Sequence, residues 1–186
     1  PVESWDILWD SNYAGQILMF NNPRDSYGIA LKKLGYSQNT TNREEIDEAT
    51  DELKKQRLVV QAYVMDEIFP KMTAGEAALA PYYAGDAVTM IGDNPDLDFV
   101  VPKEGTNRFV DAMVVPKSSK NKDLAEQFIN FMLEEDVALA NIEYIGYSTP
   151  MSNVKELLDE EVQNSFSYPD EEVLSRCETF VNLDEE

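Results

Sequence analysis

An aromatic ring and a carboxylate stand two residues apart at Phe109 and Asp111, within the segment DFVVPKEGTNRFVDAMVVP at 98–116. Apolar runs at 99–101 and 112–115 flank a polar turn there, and their composition predicts two strands. Residues two apart share one face of a strand, so the ring and the carboxylate would lie side by side. Such a pair suits an organic cation, because the ring offers a negative π face and the carboxylate offers charge. The plain alternative is that these residues only begin a strand and bind nothing. The pattern leaves both interpretations open.

Two other loops carry similar chemistry. Asn22 and Asp25 follow an apolar run and open a helical pattern, and their oxygens could accept hydrogen bonds from an ammonium group. The plain alternative is a helix start, where a carboxylate is favourable near the positive end of the dipole. Tyr83 follows another apolar run and could present its ring to a cation, although rings at such positions also serve as packing.

Strand and helix patterns alternate along the chain. Strands are predicted at 16–20, 58–63 and 77–82, and helices at 23–34, 43–56, 68–73, 83–91, 121–133, 135–145, 154–158, 160–164 and 171–177. The acidic end at 184–186 is expected to fray. Alternation of this kind predicts an α/β fold with a mainly parallel sheet, in which ligands bind at the carboxyl ends of the strands. The three loops described above are therefore candidates for a ligand-binding rim at the carboxyl ends of the strands.

Composition narrows the function classes. The 186 residues include 36 acidic and 15 basic side chains, a formal net charge of −21, which disfavours nucleic acid as a partner. The same charge favours cationic ligands, although it also serves solubility. The chain contains no histidine, and Cys177 is its one cysteine, so a Cys–His nucleophile pair and an intrachain disulfide are excluded.

No catalytic residues, metal ligands or cofactor are predicted. Gly-rich phosphate loops are absent, and no pair of carboxylates is marked above the others for glycoside hydrolysis. No run is long and apolar enough to span a membrane, and no signal peptide is present. Because the chain opens at Pro1 in mid-pattern, we expect it to be an excised piece of a longer protein, so missing signals say nothing about location.

Several segments in order resemble one family of transport proteins. They are SWDILW at 4–9, ALKKLGYS at 30–37, NTT at 39–41, VPKEG at 101–105, VPK at 115–117, IGYSTP at 145–150 and YPD at 168–170. Over nearly its whole length the chain resembles the C-terminal part of the spermidine/putrescine-binding proteins of bacterial ABC transporters.

The resemblance implies a periplasmic-binding-protein-like (type II) lobe, with a mainly parallel sheet flanked by helices and the first lobe missing. Residues 1–111 would form the second lobe, 112–150 would return to the missing first lobe, and 151–186 would return to the second. Apolar side chains of the returning helices, expected to face inward at Leu124, Phe128, Ile129 and Met132, would need other cover. A second copy of the chain is one candidate, so self-association of the truncated chain is expected.

The resemblance also implies ligand-binding positions. The family's acid at the first helix start falls on Asn22, so one charge is lost, while the second acid of that loop is kept as Asp25. The family's two tryptophans fall on Tyr83 and Phe109, and the aspartate that follows falls on Asp111. A late glutamine falls near Phe180, where the alignment is loose and no role is assigned.

The implied function is capture without catalysis. A polyamine would lie between two closing lobes outside the cytoplasmic membrane and be passed to a membrane permease. Since one acid is lost, a diamine or another cation fits as well as spermidine. A protein of the same fold for a different small ligand, and a hydrolase, remain as alternatives.

Overall fold

The computed structural model describes residues 2–183, so the expected frayed end at 184–186 lies outside the described residues. The chain starts with 3-10 turns at Trp5–Trp9 and Ser11–Tyr13. The strands within the described range are β1 (Ile17–Phe20) and β2 (Val60–Val64). The helices are α1 (Pro23–Lys33), α2 (Arg43–Gln56), α3 (Ile68–Thr73), α4 (Ala84–Asp93), α5 (Lys122–Met132), α6 (Glu135–Ile145), α7 (Ser152–Lys155), α8 (Glu160–Gln163) and α9 (Glu171–Arg176).

Strand β1 is buried along its whole length and pairs in parallel with β2. On its other side β1 meets Leu79 at a single parallel bridge, where the amide of Leu18 donates to the Leu79 carbonyl at 2.9 Å. The predicted strand at 77–82 is therefore reduced to one bridge. A strand needs a continuous hydrogen-bonding partner, and Pro81, which has no amide hydrogen, lies in this run.

The strands predicted at 99–101 and 112–115 are wrong. Both runs lack strand pairing among the described residues, and the nearest bridge joins Asn107 to Glu178. Val114 in the second run is 80% exposed. An apolar run indicates a strand by composition, but here no neighbouring segment supplies the backbone groups that a ladder requires.

Helix α1 begins and ends where its local signals predict. Asn22 caps the first turn, Pro23 takes the first helical position, and Gly35 follows the end with a φ of +82°. Helix α2 begins after Asn42, whose side chain accepts from the Glu44 amide at 3.0 Å. Both helices pack on each other and on the first 3-10 turn. The hydroxyl of Ser26, in the first turn of α1, donates to the carbonyl of Phe20 at the end of β1 at 2.7 Å, which joins these two ends.

Helix α5 lies at the surface. Leu124 is 66% exposed and Phe128 is 57% exposed, so the expectation that they face inward is wrong; Ile129 and Met132 are half-buried. This helix contacts α6, which in turn contacts α4 and α7, and no layer of the described chain covers its other side. We call its exposed apolar surface the α5 face, made of Leu124, Phe128, Phe131 and Leu133.

The C-terminal segment runs back over α1. Lys32 is buried and forms an ion pair with Glu178, and the side chain of Gln38 donates to the Glu178 carbonyl at 2.8 Å. Asn39 donates to the carbonyl of Thr179 at 2.9 Å. These contacts bring residues near the end of the chain to the helix that opens the candidate site.

Candidate functional site

A cavity of about 420 Å³ lies beyond the carboxyl end of β1. We call it the rim cavity; its lining residues are Asn22, Arg24, Asp25, Tyr83, Asn107, Phe109, Asp111, Tyr147 and Phe180. All the residues that the sequence selects as ligand positions therefore line one cavity. The three predicted rim loops converge, as expected for the carboxyl edge of a parallel sheet.

Asn22 serves first as the cap of α1. Its Oδ1 accepts hydrogen bonds from the amides of Arg24 at 2.9 Å and Asp25 at 3.5 Å. The plain alternative of a helix start is therefore present in the structure. With the oxygen engaged by the backbone, the side-chain NH₂ is the group of Asn22 that is available to donate toward the cavity.

Asp25 lies in the first turn of α1 and is half-buried. Burial raises the pKa of Asp25 above its ordinary value, and a hydrogen bond from Tyr83 and the charge of Arg24 offset this only in part. The Tyr83 hydroxyl donates to Oδ2 of Asp25 at 3.4 Å. A cation placed beside this carboxylate would favour its charged form.

Tyr83 remains a neutral phenol at ordinary pH. Burial, followed by the charge and hydrogen bond of Asp25, raises the pKa of Tyr83 to about 12. Its ring stacks on Phe20 with centroids 5.4 Å apart and an interplanar angle of 26°. Because Phe20 is the last residue of β1, the sheet fixes the ring that lines the cavity.

Phe109 extends this aromatic wall. Its ring meets Tyr83 edge-on at 5.4 Å, with an angle of 74°, and meets Tyr147 at 6.4 Å, with an angle of 71°. The ring is 41% exposed. A continuous wall of rings, partly open to solvent, can cover methylene groups and attract a cation at the same time.

Asp111 lines the cavity from the segment after Phe109 and is exposed. Among the described residues its carboxylate makes no hydrogen bond or ion pair within the chain. The Phe109–Asp111 pair thus reaches one cavity as predicted, but from an unpaired segment where a strand was expected. The carboxylate is therefore accessible from the cavity.

Tyr147 was not selected from the sequence, yet it lines the cavity. Its hydroxyl donates to Oδ2 of Asp86 at 2.9 Å, and burial together with this carboxylate raises the pKa of Tyr147. The ring lies directly on Gly85, where an added Cβ would stand 1.9 Å from Cδ2 of Tyr147. Its position after the helix-ending Gly146 is a local signal, but its approach to α4 depends on tertiary packing.

Arg24, Asn107 and Phe180 complete the lining. The Cζ of Arg24 lies 4.6 Å from the centroid of the Phe180 ring. Asn107 accepts from the side chain of Gln38 at 3.4 Å. Arg24 sits within the first predicted loop, but nothing in the local pattern indicates that residue 180 would lie beneath it.

The described residues hold no group of three or more histidine, cysteine, aspartate or glutamate side chains that could bind a metal ion. Likewise, no helix within the described range has the length and apolar character needed to cross a membrane.

Residues 1–177 match the family model for bacterial extracellular solute-binding proteins. The chain belongs to this family. The match covers the elements that build the rim cavity, apart from the segment that carries Phe180. The resemblance drawn from the sequence is thereby confirmed.

Named relatives narrow the family. The chain is 39% identical over 178 residues to the spermidine/putrescine-binding periplasmic protein of Escherichia coli K12, covering 95% of this chain and 51% of the relative. It is 27% identical over 190 residues to a putrescine/cadaverine-binding protein of Pseudomonas aeruginosa, covering 96% of this chain and 54% of that protein. The chain thus spans about half the length of the curated relatives that it matches.

A solved structure agrees in fold. The spermidine/putrescine ABC transporter substrate-binding protein of Streptococcus pneumoniae superposes with a TM-score of 0.87 at 39% identity, over 99% of this chain and 57% of that one. The prediction of a periplasmic-binding-protein-like α/β fold is confirmed, over about half the length of this solved structure.

Proposed function

We propose that the chain is part of an extracytoplasmic solute-binding protein that captures a polyamine, putrescine or spermidine, for uptake by an ABC transporter. One observation carries the proposal: carboxylates and aromatic rings from separate loops converge on the rim cavity. Relatives named for spermidine, putrescine and cadaverine support this ligand class.

In the proposed complex, ammonium groups bond to Asp25 and Asp111 with charge-assisted geometry. Methylene groups lie against Tyr83 and Phe109, whose rings also attract the positive ends of the ligand. Asn22 holds the start of α1 and offers its side-chain amide at the edge of the site. Burial of Asp25 supports the proposal, because a bound cation offsets the desolvation that raises its pKa.

A two-lobe protein is the proposed working form. Residues 1–111 and 151–186 make the second lobe, and 112–150 return to a first lobe that this chain does not include. The exposed α5 face supports this arrangement, because an apolar surface of that kind is normally covered. Closure of the lobes would bury the ligand and present the closed form to a membrane permease. In the absence of the first lobe, a second copy of the chain could cover the α5 face, and the chain would then self-associate.

We propose that the protein binds its ligand and catalyses no reaction on it. The relatives are named as binding proteins or transporter components, and the periplasmic ones support a location outside the cytoplasmic membrane. Nucleic acid is not a proposed partner, given the net charge of −21. The alternative is a protein of the same fold for a different small ligand. Another small cation is the version of it that the amide at Asn22 favours, because the family's acid is expected there.

Calorimetric titration of the two-lobe protein with putrescine, spermidine, sulfate and a neutral sugar, at low salt, tests the proposal. We expect heat with a polyamine alone, and Asp25→Asn or Asp111→Asn should weaken binding about tenfold to a hundredfold, as loss of a charge-assisted hydrogen bond requires. Asp47→Asn is the matched control, since this exposed acid lies on α2 away from the cavity.

The absence of heat with every polyamine would refute the proposed function. For the isolated 186-residue chain we expect weak or no binding, because in the proposed arrangement the opposite wall of the site belongs to the first lobe. Micromolar affinity of that chain for a polyamine would contradict the two-lobe arrangement.

A further inference from the structure

The rim cavity is electrically asymmetric. Asp25 and Asp111 are grouped with the aromatic wall, whereas Arg24 places a guanidinium group in the lining. Arg24 forms no ion pair with any residue in the part of the chain that the structure describes. Its Nη2 donates to Oδ1 of Asn39 at 2.9 Å and to the Val181 carbonyl at 3.3 Å, both uncharged acceptors. The guanidinium therefore has no direct carboxylate partner beside the cavity, although its charge acts on neighbouring Asp25.

Phe180 fixes this charge in place. Its ring presses on α1, where a Cβ added to Gly28 would lie 3.2 Å from Cζ of Phe180. The guanidinium of Arg24 stands over the same ring at 4.6 Å, and its buried Nε has no acceptor among the described residues. The face of Phe180 that could attract a ligand cation is thus already occupied by Arg24.

Resting on the polyamine function proposed above, we propose that Arg24 and Phe180 form a selectivity wall that admits a linear diamine and disfavours a triamine. Two ammonium groups find carboxylates at Asp25 and Asp111. A third would approach a fixed guanidinium with no carboxylate of this lining left to pair with. Like charges brought together in a partly desolvated cavity repel, and the repulsion falls on the longer, more highly charged ligand.

The test compares the affinities of the two-lobe protein for putrescine and spermidine by calorimetry. We expect a preference for putrescine, which Arg24→Gln reduces by about tenfold because it removes the charge while keeping an N–H donor for the same acceptors. Arg24→Lys keeps the charge and should keep the preference. Arg43→Gln is the matched control, since this exposed arginine pairs with Asp47 on α2.

A second measurement uses salt. The difference in putrescine preference between the unaltered protein and Arg24→Gln should shrink as the salt concentration is raised, because screening weakens the repulsion that only the unaltered protein has. Equal or tighter binding of spermidine in the unaltered protein, or an unchanged affinity ratio in Arg24→Gln, would overturn the selectivity wall and leave polyamine capture standing. Failure to bind either amine would overturn both.

Discussion

The contact between Gly85 and the ring of Tyr147 can be tested by measuring the free energy of unfolding of variants. An added Cβ at Gly85 would stand 1.9 Å from Cδ2 and 2.2 Å from Cε2 of Tyr147, so the ring must leave its place. Overpacking of this kind costs about 1–3 kcal/mol. Displacement also breaks the hydrogen bond from Tyr147 to Asp86, worth about 1 kcal/mol. Alanine returns about 1 kcal/mol through its higher helix propensity.

We therefore expect Gly85→Ala to lower the free energy of unfolding by about 1–3 kcal/mol. Gly92 supplies the matched control, because it lies in the same helix and an added Cβ there meets nothing within 4 Å. Gly92→Ala should raise stability by up to about 1 kcal/mol through propensity alone. Urea unfolding of the chain, followed by the fluorescence of Trp5 and Trp9, measures both changes.

A double-mutant cycle separates the clash from other effects of the substitution. In a Tyr147→Ala background the ring is gone, so Gly85→Ala should become neutral or stabilising by up to about 1 kcal/mol. If Gly85→Ala is as destabilising there as in the unaltered chain, or if it stabilises the unaltered chain as Gly92→Ala does, the proposed seating of Tyr147 on α4 is refuted.

Three further predictions follow from charge and exposure. Because burial raises the pKa of Asp25, lowering the pH should begin to weaken diamine binding by the two-lobe protein at a pH above the usual pKa of an aspartate. Calorimetry should find that Asp25→Asn removes this part of the pH dependence. Lys32→Met leaves Glu178 without its ammonium partner, so urea unfolding should show a loss of about 1–3 kcal/mol in the free energy of unfolding. The control, Arg43→Met, breaks an exposed ion pair and should lower the same free energy by less than about 0.5 kcal/mol. Burial opposes ionisation of Glu178, but its hydrogen bonds and the charge of Lys32 lower its pKa overall. The stability lost in Lys32→Met should therefore be seen near neutral pH and should vanish as pH falls through the lowered pKa of Glu178. A loss of stability that is unchanged in acid would contradict this account. Sedimentation of the isolated chain should detect association that Phe128→Glu weakens, and a strictly monomeric chain at high concentration would count against an uncovered α5 face.

Elements specified by local signals are the ones the sequence predicts well. Helix α6 has its expected bounds, Glu135–Ile145, because Gly146 takes the left-handed conformation that ends it. Helix α1 follows from the Asn22 cap and Pro23. The strand expected at 112–115 fails because composition cannot supply a pairing partner, and the inward face expected for Phe128 fails because periodicity does not say whether a covering layer exists.

The same division applies to the site. Asp25 and Tyr83 can be selected because each follows an apolar run that leads to a sheet edge or bridge, and the rule for parallel sheets brings such loops together. Arg24 and Phe180 could not be paired, since they are joined by the return of the C-terminal segment over α1. Tyr147 depends on the missing side chain of Gly85, a complementarity visible only when α4 and the end of α6 are in place.

The return of the C-terminal segment has a consequence for the order of folding. The rim cavity joins Asn22 to Phe180, and Glu178 binds Lys32 across a similar separation in sequence. The pairing of β1 with β2 joins residues that are much closer in sequence, whereas the cavity is complete only when the segment that carries Phe180 has docked on α1. Contacts far apart in sequence form slowly. Recovery of ligand binding during refolding should therefore lag behind formation of the sheet.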